Sequence, residues 1–224
     1  MKPMLLGLTF ILIYDCLMAA CLFGSAGRWD LPFFWWYLGV ILIPSLVVTP
    51  MVARRTPDLI RERIRPGPGE QDRFSKPALL IGQVSHWVIA GLDAGRFHWS
   101  GNFPFGLQVA GLIALGTGFG LSAWPILVNP FFSSAVRIQP DRGQYVIQTG
   151  PYRYVRHPGY AAGLLFILAS GLALGSWWSE VPMLMLGAVL IRRTVLEDDV
   201  LHRELPGYGE YASHVRYKLL PGIW

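Results

Sequence analysis

"GPYRYVRHPGYAAGLLFILASGLALG", residues 150–175, has two halves of opposite character. From Gly150 to Tyr160 it packs Arg153, Arg156, His157 and three tyrosines, and from Ala161 onward it is apolar. The second half reads as a membrane helix entered at Pro158, a residue suited to a first turn, with His157 at the capping position. One arginine and one tyrosine would anchor such a helix at the bilayer surface. The remaining polar groups need another purpose.

The rest of the chain fits that reading. Of 224 residues 53% are hydrophobic and 15% charged, with a mean hydropathy of +0.40. A soluble domain of this size needs more charged surface, so the composition indicates an integral membrane protein. Stretches near the length required to cross a bilayer are Met4–Gly24, Leu31–Ala53, Pro77–Leu92, Phe105–Val128, Tyr160–Gly175 and Val181–Leu196. The last two are short and joined by "SWWSE", whose tryptophans suit the interface. The expectation is an all-α polytopic membrane helical bundle of five to six transmembrane helices. Residues 1–128 form four spans with a basic loop at 54–76, and 129–224 form a second region containing the hairpin 159–196.

Charge distribution gives a topology. With the amino terminus inside, 17 of the 19 Lys and Arg residues fall on the inner side, leaving Arg28 and Arg96 outside. The positive-inside rule then puts both termini in the cytoplasm. The net charge of +5 is explained by topology, which argues against nucleic acid as a partner. Compact length and short loops suggest a bacterial inner membrane.

Several local features read as structural. Cys16 and Cys21 match neither a metal-ligand spacing nor a redox pair, and "MAAC" before residue 22 makes a poor cleavage site because Asp15 interrupts the apolar run. Asp15 is expected to pair with a polar group such as His86. In "RRTPDLIRERI", Thr56 is placed to cap a short amphipathic helix starting at Pro57, which would lie on the anionic inner leaflet. "GTGFG", residues 116–120, resembles a soluble nucleotide-binding loop. No strand precedes it, so Gly116 and Gly120 read as small-residue helix packing.

Chemistry concentrates after the fourth span. "QYVIQTGPY" is a short extended run ending in Gly-Pro, followed by the cluster at 150–160. Across the hairpin lies "IRRTVLEDDVLHREL", in which Arg193 and Glu197 are four apart on one helical face, with Leu201 continuing it. Both clusters return to the same mouth of one hairpin. A polar concavity beside an apolar groove suits the joining of a water-soluble cofactor with a lipidic substrate.

In their order along the chain these elements resemble the isoprenylcysteine carboxyl methyltransferase family. The elements are Gly150 and Tyr152, Arg156 to Tyr160, Arg193, Glu197 with Asp198 and Leu201, and Tyr208, Gly209 and Tyr211. The resemblance covers roughly residues 129–221. Asp198 stands where the family has a second Glu, and Tyr211 follows Gly209 one position early, which puts Tyr211 in doubt as a site residue.

The resemblance implies binding of S-adenosyl-L-methionine in a cytosolic pocket made by the hairpin and its flanking loops. Carried over by position, Gln139, Gln144, Tyr145, Val146, Ile147, Tyr152, His157, Pro158, Gly159, Tyr160 and Glu197 would line the cofactor. Arg193 would hold the carboxylate of a lipidic or prenylated acceptor in the bilayer, and Arg193 and Glu197 would be the catalytic pair, with no metal. A carboxylate is already ionised at neutral pH, so O-methylation needs no general base. The alternatives are a phospholipid or other lipid N-methyltransferase and an NADPH-dependent sterol-reductase-like enzyme. The latter would need a basic cluster for the 2′-phosphate, and the sequence shows no clear one.

Overall fold

The computed structural model describes residues 2–224, and in it the chain is all-helical, without strands among the described residues. The helices are α1 (Pro3–Ala26), α2 (Pro32–Arg55), α3 (Pro57–Ile64), α4 (Ser75–Ala90), α5 (Phe105–Val128), α6 (Pro158–Leu174), α7 (Trp177–Glu204) and α8 (Tyr208–His214). Three of them, α1, α2 and α5, are long and apolar enough to cross a membrane, and α6 is a shorter apolar helix of 17 residues. These apolar helices make the chain an integral membrane protein.

Each sequence-derived span falls within one helix or within two residues of its ends, but two helices run further than hydropathy indicates. α4 continues as a π-helical turn, Gly91–Phe97, which carries Asp93 into the interior at 0% exposure. α7 continues for two turns beyond Leu196. At 1.5 Å per residue its 28 residues reach about 42 Å, so its apolar stretch and its charged end share one rigid rod.

The core joins α1, α2, α4, α5 and α6 through Met18, Leu22, Phe23, Phe34, Tyr37, Trp87, Leu115 and Leu174. α5 and α6 pack backbone to backbone. A Cβ on Gly111 would lie 2.5 Å from the nitrogen of Ala173, and one on Gly118 would lie 3.0 Å from that of Phe166. Glycine at both positions, seven residues apart on one face, permits that approach. This corrects the reading of "GTGFG": a Cβ on Gly120 would meet nothing and one on Gly116 only a methyl of Val40 at 3.4 Å. The packing stripe is Gly111–Gly118, with the middle glycine of the motif.

Two other expectations fail locally. Asp15 does not pair with His86. One Asp15 oxygen is buried without a partner, while the His86 ring contacts the Ser170 hydroxyl and the Ser179 carbonyl, each at 2.8 Å. α1 and α4 do pack together, but His86 faces α6 and α7 instead. Thr56 stands at the start of α3 without capping it; its hydroxyl turns back to the carbonyl of Val52 at 3.4 Å.

Candidate active site

At the end of the bundle where the basic residues gather, a cavity of about 370 Å³ opens between the α5–α6 connection, the start of α6, the end of α7, α8, the end of α3 and the start of α4. All twelve residues singled out from the sequence line it, from Gln139 to Ile147, Tyr152 to Tyr160, and Arg193 with Glu197. The roles are not uniform. Gln139 is 1% exposed, and both ends of its amide serve the loop. Its Nε2 donates to the carbonyl of Phe131 at 2.8 Å and its Oε1 accepts from Arg142. Gln144 likewise accepts from the Gln139 amide at 2.7 Å. Tyr145 is 61% exposed and presents a free ring, edge-on to Phe131.

The floor of the cavity is organised by Asp198, which is 2% exposed. It accepts from Arg156 through both nitrogens of the fork at 2.9 and 3.1 Å, from His157 at 3.0 Å and from the Tyr208 hydroxyl at 2.8 Å. Lys218 approaches to 3.3 Å. Burial opposes its ionisation, yet the bonds from His157, Arg156 and Tyr208 hold its carboxyl well below the ordinary range. His157 stands at the start of α6 but makes no capping bond; its ring is used on Asp198. One short carboxylate thus ties the start of α6, the end of α7, α8 and the C-terminal tail. A longer Glu would have to fold back within this ring of donors.

α8 answers the doubt over Tyr211. Tyr208 and Tyr211 are three apart on a helix and share a face, with ring centroids 5.6 Å apart. Both line the cavity, and the Tyr211 hydroxyl donates to the carbonyl of Tyr152 at 2.7 Å. The shifted spacing leaves Tyr211 part of the wall.

Arg193 and Glu197 do share a face of α7, but they do not touch. Tyr160 stands between them: Arg193 Nε donates to its hydroxyl at 2.8 Å, and the hydroxyl donates to Glu197 Oε2. Arg193 Nη2 donates to the carbonyl of Ser134 at 2.8 Å. Its Nη1 is buried without a hydrogen-bond partner, 3.6 Å from Oδ2 of Asp72. That distance is too long for a hydrogen bond. An unpaired N–H of a buried guanidinium is costly unless something completes it.

Asp72 is a residue the sequence reading missed. It lies on the α3–α4 connection at 1% exposure, accepts from the Ser75 amide and from Arg192, each at 3.1 Å, and stands against Arg193. Burial opposes its ionisation, and the bonds from Ser75 and Arg192 keep its carboxyl below the ordinary range. Nothing in its immediate sequence marks it, because its arginine partners lie about 120 residues away.

The end of α3 is riveted to the α5–α6 connection by Arg137. Its fork grips Glu62 at 2.9 Å through two nitrogens and reaches Asp141 at 2.9 Å. The Arg137 side chain is 2% exposed.

Residues 107–206 match the family model described as phospholipid methyltransferase. That family belongs to the same group of membrane methyltransferases as the isoprenylcysteine carboxyl methyltransferases, in keeping with the resemblance carried by the motifs. The matched segment, which contains the hairpin and most of the cavity wall, is similar to that family of membrane methyltransferases. No curated protein matches the chain at a significant level.

Proposed function

We propose that the protein transfers a methyl group from S-adenosylmethionine to the carboxylate of a lipidic acceptor. In this reading α4, α6 and α7 join α1, α2 and α5 in crossing the bilayer, giving six spans, and the cavity faces the cytoplasm. The observation that carries it is Arg193: a buried guanidinium held on two sides, with its Nη1 left without a hydrogen-bond partner. A planar fork fixed in this way suits a carboxylate.

The residues present fit the cofactor. Among the side chains lining the cavity, Glu197 is the sole carboxylate, and only its Oε2 is engaged by the protein. Its second oxygen is free for the cofactor's ammonium or ribose hydroxyls, and the free ring of Tyr145 can stack on a base. The cofactor would bring an electrophilic methyl group on a sulfonium. Arg193 binds the acceptor carboxylate and aims one of its oxygens, while Tyr160 links that guanidinium to Glu197 and so ties the two ligand positions together. The aromatic walls from Tyr152, Tyr208 and Tyr211 exclude water, and catalysis is then alignment without proton transfer. A grip by Nη1 on one oxygen leaves the other oxygen nucleophilic.

Methylation of a lipid amine is the second reading, and the family match favours it. The two differ in product. Labelled methyl groups transferred from S-adenosylmethionine into a membrane lipid extract are released by mild alkali from an ester and retained on nitrogen. Alkali-labile label is the expected result, and alkali-stable label would replace the first reading with the second. Thermal stabilisation by S-adenosylhomocysteine but not NADPH is expected in either case.

A further inference from the structure

The basic side chains that line the cavity are Arg63, Lys76, Arg137, Arg156 and Arg193, against the single carboxylate of Glu197. Three of them are neutralised by acids behind the wall. Lys76 has Glu70 at 2.5 Å, Arg137 has Glu62 and Asp141, and Arg156 has Asp198. Arg193 has Asp72 at a distance. Arg63 has no carboxylate partner among the described residues; its Nη1 donates to the carbonyl of Phe132 at 3.3 Å, and its guanidinium lies 5.2 Å from the centre of the Phe132 ring. Its Nε and Nη2 are free.

Arg63 sits on α3, the helix whose sequence favours a membrane-surface anchor over a substrate contact. Leu59 and Ile60 are buried on one side, while Arg63 is exposed and on the cavity wall. Residues 132–134 connect it to Arg193. Phe132 gives its carbonyl to Arg63, and Ser134 gives its carbonyl to Arg193 while its hydroxyl donates to the Arg63 carbonyl at 2.8 Å. The two carbonyls gripped by the two guanidinium groups are two residues apart, at most about 7 Å along an extended chain. Arg63 therefore stands at the mouth and Arg193, 4% exposed, deeper in, along one short strap.

We infer that Arg63 is a specificity-determining residue that receives the anionic headgroup of the lipidic acceptor at the cavity mouth before Arg193 orients it. This rests on the proposed methyl transfer and adds to it that the acceptor must be an anion at its polar end, carboxylate or phosphate. An unneutralised guanidinium on the exposed rim draws anionic amphiphiles over zwitterionic or neutral ones, and the attraction weakens with salt. The same chemistry could come from the cofactor's own carboxylate, so the experiment must separate the two.

Binding of radiolabelled dodecanoate to the full-length protein in a neutral maltoside detergent supplies the probe, with S-adenosylhomocysteine affinity measured alongside. Saturable binding is expected, displaced by dodecyl phosphate but not by dodecanol or dodecyltrimethylammonium, and weaker in 0.5 M salt. Arg63→Gln should weaken dodecanoate about ten-fold, as expected for one partly exposed charge-assisted contact, and Arg63→Lys should keep most of it. Neither change should move S-adenosylhomocysteine affinity. Dodecanoate that fails to saturate, is displaced equally by the cationic amphiphile, or binds Arg63→Gln as well as the parent overturns the inference. So does a loss of S-adenosylhomocysteine instead, which would give Arg63 to the cofactor. Failure of S-adenosylhomocysteine to bind the parent protein strikes the methyltransferase reading itself, a separate result.

Discussion

The bundle carries polar clusters at both ends of α7, and they differ in what they leave open. At the Ser176 end, Asp93 accepts from the Ser100 amide at 2.7 Å and from the hydroxyls of Ser100 and Ser176. Ser176 caps α7 by accepting from the Ser179 amide at 3.0 Å. The Ser179 carbonyl meets His86, which meets Ser170, which meets Tyr37. Every side chain in that chain has a partner. Seventeen residues further along, about 26 Å, the Arg193 end is built from stronger groups yet leaves Nη1 of Arg193, one Glu197 oxygen and most of Arg63 without hydrogen-bond partners in the protein. Polar groups that only hold helices together are satisfied by the fold. Those that hold a ligand are satisfied by it.

Asp198 sharpens the contrast, since it lies at the open end but is fully engaged, and it should give the largest effect. Asp198→Ala leaves Arg156, with a side chain 8% exposed, as a buried charge without its partner. Breaking such a pair costs about 3–5 kcal/mol, so thermal unfolding should fall steeply, with cofactor binding lost. The pH dependence follows from the depressed carboxyl. A group whose pKa is lowered by folding contributes its stability above the unfolded value, near 4, and loses it as pH falls toward the folded value. The melting temperature should thus be insensitive to Asp198 titration from pH 5 to 8 and drop below about pH 4. A similar drop in Asp198→Asn would remove Asp198 as its cause.

Arg193 and Glu197 come next, and here ligand and fold should separate. Glu197→Gln is expected to weaken S-adenosylhomocysteine roughly ten- to hundred-fold, the worth of a charge-assisted hydrogen bond of about 1.5–3 kcal/mol. Arg193→Lys should keep that affinity and lower turnover, because an ammonium cannot reproduce the fork held by Tyr160 and Ser134. Tyr160→Phe should lower both, since the hydroxyl is the link between them. Parallel losses of binding and turnover in all three variants, measured by calorimetry and methyl transfer, would mean that the trio only stiffens α7.

How far the sequence reveals this site depends on the range of each interaction. Hydropathy finds the helices, and the placement of Arg193 and Glu197 follows from helical spacing alone. The twelve residues meet at one cavity because the motifs that flag them all border one hairpin. Asp72 and Arg63 escape because they act across about 60 to 120 residues, from a connection that reads as an ordinary basic loop. Asp198 is visible as a motif position, but its work depends on Tyr208 and Lys218, which meet it only through α8 and the tail. Asp15 errs in the other direction: a lone acid and a lone histidine in neighbouring spans suggest a pair, and the rotation of α4 gives His86 to α6 and α7.

At the closed end, Asp93→Asn should lower stability by about 1–3 kcal/mol, because the amide keeps one acceptor and turns the other toward the Ser hydroxyls as a donor. Cofactor affinity should be unchanged at that distance. A selective loss of S-adenosylhomocysteine binding with an unchanged melting temperature would contradict the division between the two ends.

The smallest effects are expected at the glycines of α5, where sign matters more than size. Alanine in place of glycine inside a helix gains about 1 kcal/mol from backbone entropy. At Gly120 nothing opposes that gain, since a Cβ there meets no atom within 4 Å, and Gly120→Ala should be neutral or slightly stabilising. At Gly118 the new methyl would press on the backbone of α6, 3.0 Å from the nitrogen of Phe166 and 3.2 Å from the carbonyl of Ala162. Overpacking costs about 1–3 kcal/mol, so the net change at Gly118 should be a loss of up to about 2 kcal/mol. Gly111→Ala, with 2.5 Å to the nitrogen of Ala173, should lose more than Gly118→Ala. None of the three should change S-adenosylhomocysteine affinity beyond a few-fold, since none lines the cavity. Melting temperatures ranked Gly120→Ala above Gly118→Ala above Gly111→Ala bear out a backbone-to-backbone seam between α5 and α6. An equal shift at Gly118 and Gly120 would show that the seam gives way under one methyl group, and a loss of cofactor binding in a stable Gly118→Ala protein would return "GTGFG" to the ligand.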